Sequence, residues 1–313
     1  MTIDVTIIIV SFNTKALLLD CLRSLYQWKS RLSCEIIVVD NASRDETPEA
    51  VTRNFPGVIV VRNVHNVGFA GANNQGIAIA RGKYLLLLNP DTLFVEDAIT
   101  PLFDFMESHP RTGIAGCKIL NADGSLQPSY FPLPNLMTMA WTALFLDRLA
   151  PLNHVDGRRV LGQKKLSSPA RVQRLLGAYL FTRNETIQQV GAFDDTFFLF
   201  CEEDDFCYRV AKQGWEIHHV PTTRIIHLGG QSTVQDNAAA VVHANASRVQ
   251  YFRKHFGLLT QILFRGIWFL ALVMRLCSVL FLRPPWRGQM AKAYLKSLAT
   301  LFQPLKPKLA AEC

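Results

Sequence analysis

Four short apolar runs, at 5–10, 35–39, 58–61 and 84–88, are built almost wholly of Ile, Val and Leu. Segments of helical character lie between and after them, near 15–28, 46–54 and 68–81. A strand that is apolar along its whole length has both faces covered, and strands that alternate with helices pair in parallel. This constrains the chain to the α/β class, with a Rossmann-like, mostly parallel sheet covered by helices. In such sheets ligands bind outside the carboxyl ends of the strands. Each run here ends in polar residues: Ser11-Phe12-Asn13, Asp40-Asn41-Ala42-Ser43, Arg62-Asn63 and Asn89-Pro90-Asp91. Four successive polar strand ends on one edge carry more weight than any one of them.

With 313 residues, 49% hydrophobic and 19% charged, the chain can bury a large core as one domain, or as a domain with an appendage. The net charge of +8 is unevenly placed. Residues 237–313 hold 11 Lys and Arg and one acid, Glu312, which leaves 22 bases and 24 acids for residues 1–236. The basic character therefore belongs to the tail. The seven cysteines show no C-x-x-C pair and no zinc spacing, the pattern of reduced thiols in a cytosolic compartment. The first apolar run is too short for a signal peptide and follows an acid, Asp4, so a core strand is expected at the start.

Residues 121–176 carry five prolines and a basic patch, Arg158, Arg159, Lys164 and Lys165. They are expected to form an excursion on the rim of the site, helical around 138–149. A short strand near 216–220, another ending at His227, and a helix over 238–255 follow. From Leu258 to Leu282 the chain is strongly apolar but interrupted by Arg265 and Arg275. Pro284-Pro285 stops the run, and a basic amphipathic segment fills 286–303. Without an unbroken apolar run of membrane-spanning length, a tilted or interfacial helix is the economical expectation. The expected boundaries are a catalytic domain over 1–257, with halves 1–120 and 121–257, and a membrane-associating helical tail over 258–313.

Several side chains could carry chemistry. Asp91, just past Leu85-Leu86-Leu87-Leu88, can reach a divalent ion, and Asn89 can contact a ribose or order a water; the same three residues are also good turn formers. Asp40 can accept a base N–H or cap the helix that follows, with Ser43 available to cap in its place. Gly68, Gly71 and Gly76 are not spaced as a dinucleotide fingerprint and fit a helix packed closely on the sheet, while Asn66 and Asn73 remain as polar contacts to a diphosphate. Ser11 and Asn13 stand at the first strand end. Glu202, Glu203, Asp204 and Asp205 follow an aromatic run, Phe197, Phe198 and Phe200. Acids suit a helix start, but four of them after buried aromatics look like a desolvated base with supporting charges. His227 ends a strand ahead of a glycine turn, a place suited to a metal or phosphate.

Over about residues 3–257 these pieces resemble glycosyltransferase family 2, the inverting group with the GT-A fold, and within it bacterial rhamnosyltransferase-like enzymes of surface polysaccharide synthesis. The resemblance rests on IIIVSFN, IIVVDNASRDET, NVGFAGANNQGI, YLLLLNPDT and GAYLFTRNETIQQVGAFDDTFFLFCEEDDFCYR. It implies that Asp40 reads the donor base. It matches Asn89-Pro90-Asp91 to the family's D-x-D, with Asn in place of the first acid, so that Asp91 and His227 would hold Mg²⁺ or Mn²⁺. It matches Glu202-Glu203 to the family's Glu-Asp pair. Glu203 is then the expected base, and Asp205 an acid that orients the acceptor.

The implied partners are a nucleotide-diphosphate sugar, such as dTDP-rhamnose, and a lipid-linked saccharide acceptor. The implied place is cytoplasmic, peripheral at the inner face of a bacterial membrane. The basic apolar tail independently suits an anionic membrane surface. No nucleic acid is expected as a partner. A UDP-sugar donor and a non-catalytic nucleotide-sugar-binding homologue remain the alternatives. A nucleotidyltransferase would show a glycine-rich basic loop after the first strand, which SFNTKALL lacks.

Overall fold

A computed structural model describes residues 3–28, 30–149, 151–156, 158–161, 166–230, 236–281 and 286–303. Lys164 and Lys165 of the expected basic patch, the Pro284-Pro285 stop and residues 304–313 lie outside them.

The apolar runs form β1 (Ile3–Ser11), β2 (Cys34–Asp40), β3 (Ile59–Arg62) and β4 (Gly82–Leu88). The expected helices are α1 (Lys15–Gln27), α2 (Thr47–Asn54) and α3 (Gly68–Ile79). β1 pairs in parallel with both β2 and β4, and β2 with β3. The order β3-β2-β1-β4 reverses direction at β1, so the crevice beyond Ser11 and Leu88 is a topological switch point. Ile7, Ile8 and Ile9 are at most 1% exposed because helices cover both faces. Each such side chain contributes about 1.5–3 kcal/mol through burial. Gly76 lets α3 lie flat on the sheet, since a Cβ there would come within 2.5 Å of Ile8 Cγ2.

The sheet continues through β5 (Thr92–Phe94), α4 (Thr100–Ser108) and β6 (Thr112–Leu120), then β7 (Leu126–Gln127) and β8 (Tyr130–Phe131). The excursion expected on the rim is α5 (Leu136–Ala143), the hairpin β9 (Leu152–Val155) and β10 (Arg158–Leu161), and the short strands β11 (Ala170–Arg171) and β12 (Arg174–Leu175). The helix expected over 138–149 is shorter: α5 ends at Ala143 and a single 3₁₀ turn covers Leu146–Arg148. β13 (Tyr179–Arg183) inserts antiparallel between β4 and β6. After α6 (Asn184–Val190) and α7 (Glu202–Lys212) comes β14 (Glu216–His227). It is one strand with a register shift between Val220 and Arg224, where two short strands were expected.

α8 (Asn237–His255), α9 (Leu258–Ser278) and α10 (Trp286–Thr300) complete the described chain. The boundary expected at 257 is not a break in packing. Val249, Tyr251 and Phe252 of α8 share one core cluster with Phe264, Trp268 and Leu272 of α9. Trp268 Nε1 donates to Asn245 Oδ1 at 2.7 Å, buried between the two helices. The opposite face of α9 is bare: Leu258, Leu259, Ile262 and Leu270 are 72%, 71%, 56% and 63% exposed. The helix is long and apolar enough to cross a bilayer by length and composition.

Candidate active site

The β1 and β2 ends brace each other. Ser11 Oγ and Thr14 Oγ1 lie 2.9 Å apart, and Ser11 is fully buried. Asn13 holds a left-handed conformation, φ 52°. Its N–H donates to Ser43 Oγ at 2.9 Å, and its Oδ1 accepts Arg44 N–H at 2.8 Å. Asp40 Oδ2 accepts Ser43 N–H at 3.0 Å, closing the turn. Asp40 Oδ1 is buried without a hydrogen-bond partner among the described residues. Such an oxygen costs about 1–3 kcal/mol unless a donor meets it, so it is a natural receptor for a ligand N–H.

The two asparagines expected at a diphosphate are engaged in building the frame. Asn66 Oδ1 accepts from Asn41 Nδ2 at 2.7 Å and from Gly68 N–H at 2.9 Å. Asn73, 1% exposed, donates to Phe69 O one helical turn back. Asn41, overlooked in the sequence, is the hub: its Oδ1 also accepts Val67 N–H and Asn63 Nδ2. Gly68 has φ +83°, and a Cβ there would lie 2.5 Å from Phe198 O. That close approach ties the start of α3 to the loop before the acid cluster, through Phe69 N–H donating to Phe198 O at 2.8 Å.

At the β4 end, Asn89-Pro90-Asp91 is both a turn and a site. Thr92 Oγ1 donates to Asn89 O, and Leu228 N–H to Asp91 O, both within 2.9 Å. β5 pairs with β14 so that Thr92 faces His227. The ladder brings His227 Nε2 to 3.3 Å from Asp91 Oδ1 and 3.4 Å from Asn89 Nδ2, although residues 89 and 227 are 138 positions apart. His227 Nδ1 meets Gln127 Oε1 at 2.7 Å, while Gln127 Nε2 donates to His227 O and to Asn121 Oδ1. An acceptor at Nδ1 assigns the ring proton there and leaves the Nε2 lone pair facing the Asp91 carboxylate. Two buried acceptors at that distance are satisfied by a proton or a cation between them, so the pair fits a divalent ion. Among the described residues no three His, Cys, Asp or Glu side chains converge on one metal position. Phosphate oxygens and water would supply the rest of an octahedral shell.

The acids open α7 as expected, after two successive left-handed residues, Phe200 (φ 69°) and Cys201 (φ 63°). Each costs about 1–3 kcal/mol, a strain that persists only where the surroundings impose it. The four acids then part company. Burial pushes the Glu203 carboxyl up to about 7, the Asp204 charge adds to this, and Arg174 opposes it. Burial and the charge of Glu203 hold Glu202 well above the usual carboxylate range. One oxygen of each, Oε2, is buried without a hydrogen-bond partner among the described residues.

Arg174 Nη1 lies 2.8 Å from Asp204 Oδ1 and 3.7 Å from Glu203 Oε1, and the guanidinium covers the Phe131 ring. Nothing in the sequence singled out Arg174 except its place three residues before Gly177. Asp205 is different again. Fully buried, it accepts from Arg209 Nε at 2.8 Å, His255 Nε2 at 2.7 Å and Lys254 Nζ at 2.7 Å. Against the cost of burial, these partners draw its carboxyl down to about 2. Asp205 therefore fastens α7 to α8 and has no free face toward an acceptor, contrary to the orienting role expected of it.

The base candidate and the end of β4 both touch the Gly177–Ala178 segment that leads into β13. The Glu203 side chain packs 3.7 Å from where a Gly177 Cβ would stand, and Ala178 O accepts Asn89 N–H at 3.0 Å. A carboxyl poised near neutrality thus lies across a single strand end from Asn89 and the Asp91–His227 pair.

Residues 6–144 match the family model described as glycosyl transferase family 2. The chain is 28% identical over 235 residues to an N-acetylglucosaminyl-diphospho-decaprenol L-rhamnosyltransferase of Mycobacterium tuberculosis, covering 71% of this chain and 76% of that one. A rhamnosyltransferase of Escherichia coli K12 is 24% identical over 168 residues, 51% of this chain and 60% of its own length. In fold, the chain is similar to a mannosyltransferase of Pyrobaculum calidifontis solved with GDP-Man and Mn²⁺. The TM-score is 0.56 at 18% identity, over 96% of this chain and 86% of that one. The chain has a GT-A-like fold, its residues 6–144 are similar to family 2 glycosyltransferases, and its curated relatives include rhamnosyltransferases.

Proposed function

We propose that the chain is an inverting glycosyltransferase that moves a sugar, rhamnose from dTDP-rhamnose, onto a hydroxyl of a lipid-linked saccharide. The observation that carries this reading is the placement of Glu203 and the Asp91–His227 pair on either side of the Asn89–Ala178 contact. Asp40 Oδ1 accepts an N–H of the donor base. The acceptor hydroxyl loses its proton to Glu203 Oε2. The oxygen attacks the sugar carbon as the bond to the nucleotide diphosphate breaks on the opposite face, so the configuration inverts. A side chain with a pKa near 7 is matched to that proton transfer. Arg174 keeps Glu203 and Asp204 from repelling each other out of the pocket. A divalent ion held by Asp91 and His227 would supply Lewis-acid neutralisation of the leaving diphosphate.

The relatives' names support the rhamnosyl donor and the diphospho-lipid acceptor. The exposed apolar face of α9, with Arg287, Lys292 and Lys296 on α10, supports docking at an anionic membrane surface. Leu259→Asp with Ile262→Asp is expected to abolish sedimentation with anionic vesicles while leaving donor binding intact; undiminished sedimentation excludes this face.

Donor binding tests the transfer reading. With Mn²⁺ or Mg²⁺ present, dTDP-rhamnose is expected to raise the melting temperature more than UDP-sugars do. Asp91→Asn is expected to remove the metal-dependent part of that shift. A shift that survives both Asp91→Asn and a chelator rejects the metal role, and a larger shift with a UDP-sugar reassigns the donor. A protein that binds donor but neither transfers nor hydrolyses it is the non-catalytic homologue.

A further inference from the structure

Beside the metal candidate lies a cavity of about 390 Å³, between the β6–β7 turn and β14. Gln127 belongs to both: it lines the cavity and holds His227 Nδ1. Lys118, Arg224, His219, Ser125 and Ser129 also line it, and no carboxylate among the described residues does. Lys118 has no ion-pair partner among the described residues. Arg224 pairs with Glu96 at 3.5 Å and stays half exposed. His219 is 3% exposed, and its Nδ1 has no hydrogen-bond partner among the described residues. Two cations, hydroxyls and an unsatisfied imidazole around a partly enclosed space form a lining that a polyanion can satisfy and a neutral ligand cannot.

We propose that this cavity binds the diphosphate of a diphospho-lipid acceptor. The inference rests on the transfer reading and locates the part of the acceptor that does not react. A sugar joined to a diphosphate must present its hydroxyl to Glu203 while its anionic end lies one ring away, and Gln127 separates the cavity from His227 of the metal candidate by one side chain. Tyr130 leads through Pro132 and Pro134 directly into α5, and α5 packs on α9, whose outer face is apolar. On this assignment a lipid tail attached to the bound diphosphate runs along the Tyr130–α5 segment toward that face.

Inorganic pyrophosphate, titrated calorimetrically in chelator-containing buffer, is the probe. Wild type and Asp91→Asn are expected to bind it alike, and Lys118→Ala to bind it at least about tenfold more weakly, the weight of one charge-assisted hydrogen bond. Arg224→Ala, at an exposed position, should weaken it in the same direction. A nucleoside diphosphate with Mn²⁺ should behave in the opposite way, lost in Asp91→Asn and retained in Lys118→Ala, which also reports that the variant is folded. Pyrophosphate binding that survives Lys118→Ala but not Asp91→Asn belongs to the donor diphosphate and overturns the assignment. So does wild type that binds no pyrophosphate. Wild type that binds pyrophosphate but no nucleoside diphosphate contradicts the transfer reading instead.

Discussion

The two halves of the molecule use carboxylates in opposite ways. Up to residue 120, acids at strand ends sit among backbone donors. Asp40 is held by Ser43 N–H and keeps one oxygen free, and Asp91 is fixed by a turn and a neighbouring strand. Beyond residue 120, the acids crowd one helix start and are set apart by which cations reach them. Glu203 shares Arg174 with Asp204 and is pushed up to about 7, whereas Asp205 has three basic partners and is drawn down to about 2. Strand ends place a carboxylate through main-chain geometry, which a side-chain change leaves standing. A helix start places it through charge balance, which a single substitution upsets. The comparison predicts catalytic or binding losses with intact folding in the first half. In the second half it predicts one catalytic and one structural acid within a single turn of helix.

The largest effect tests the catalytic acid of that turn. Glu203→Gln is expected to lower turnover by about 10²–10⁴-fold with donor affinity little changed. Near-wild-type turnover would leave α7 without a base and collapse the distinction. Asp205→Asn comes next. It leaves Arg209, Lys254 and His255 without their shared partner and is expected to cost about 3–5 kcal/mol of unfolding free energy, read by denaturant melts. A variant that keeps full stability but loses turnover would return Asp205 to the chemistry.

Asp40→Asn sharpens the other side of the comparison. The protein should fold with wild-type stability to within about 1 kcal/mol but bind donor roughly tenfold more weakly, since one hydrogen bond to a charged acceptor is worth about 1.5–3 kcal/mol. Unchanged affinity would mean that the free oxygen faces no base. The smallest effect is in pH dependence. Glu203 has its carboxyl raised from 4.5 to about 7, so its contribution to stability is greatest below 4.5 and falls as pH rises through 7. Asp205, lowered from 3.8 to about 2, contributes above 3.8 and loses that contribution as pH falls through 2. Glu203→Gln should therefore flatten the decline between about pH 4.5 and 7, and leave the acid limb near pH 3 unaltered. An unaltered decline over that range would mean that the Glu203 carboxyl is not raised.

Much of this was legible before any fold was known, in particular places. The four apolar runs and their polar ends located β1 to β4 to within a few residues, because full burial on both faces leaves an unbroken apolar signature. The same logic placed Asp40 at the carboxyl end of β2 and Asp91 just past that of β4. The α7 start was legible from four acids after an aromatic run. What those acids do was not, because it depends on Arg174 and Lys254, which no spacing connects to them.

What the sequence by itself determined is therefore the local material: period, strand ends, helix starts and the order of the motifs. These follow from solvation and backbone chemistry over a few residues. Only the tertiary structure decided the pairings. β14 beside β5 sets His227 on Asp91, and Gln127 fixes which ring nitrogen faces it. β13 between β4 and β6 brings Gly177, and so Glu203, next to Asn89. α8 against α7 turns Asp205 from an acid of the site into a buried anchor, and α9 against α8 makes a tail part of the core. The physical reason is the same throughout. A carboxylate's proton affinity and a helix's bare face are set by whatever packs against them, and those neighbours lie far away along the chain.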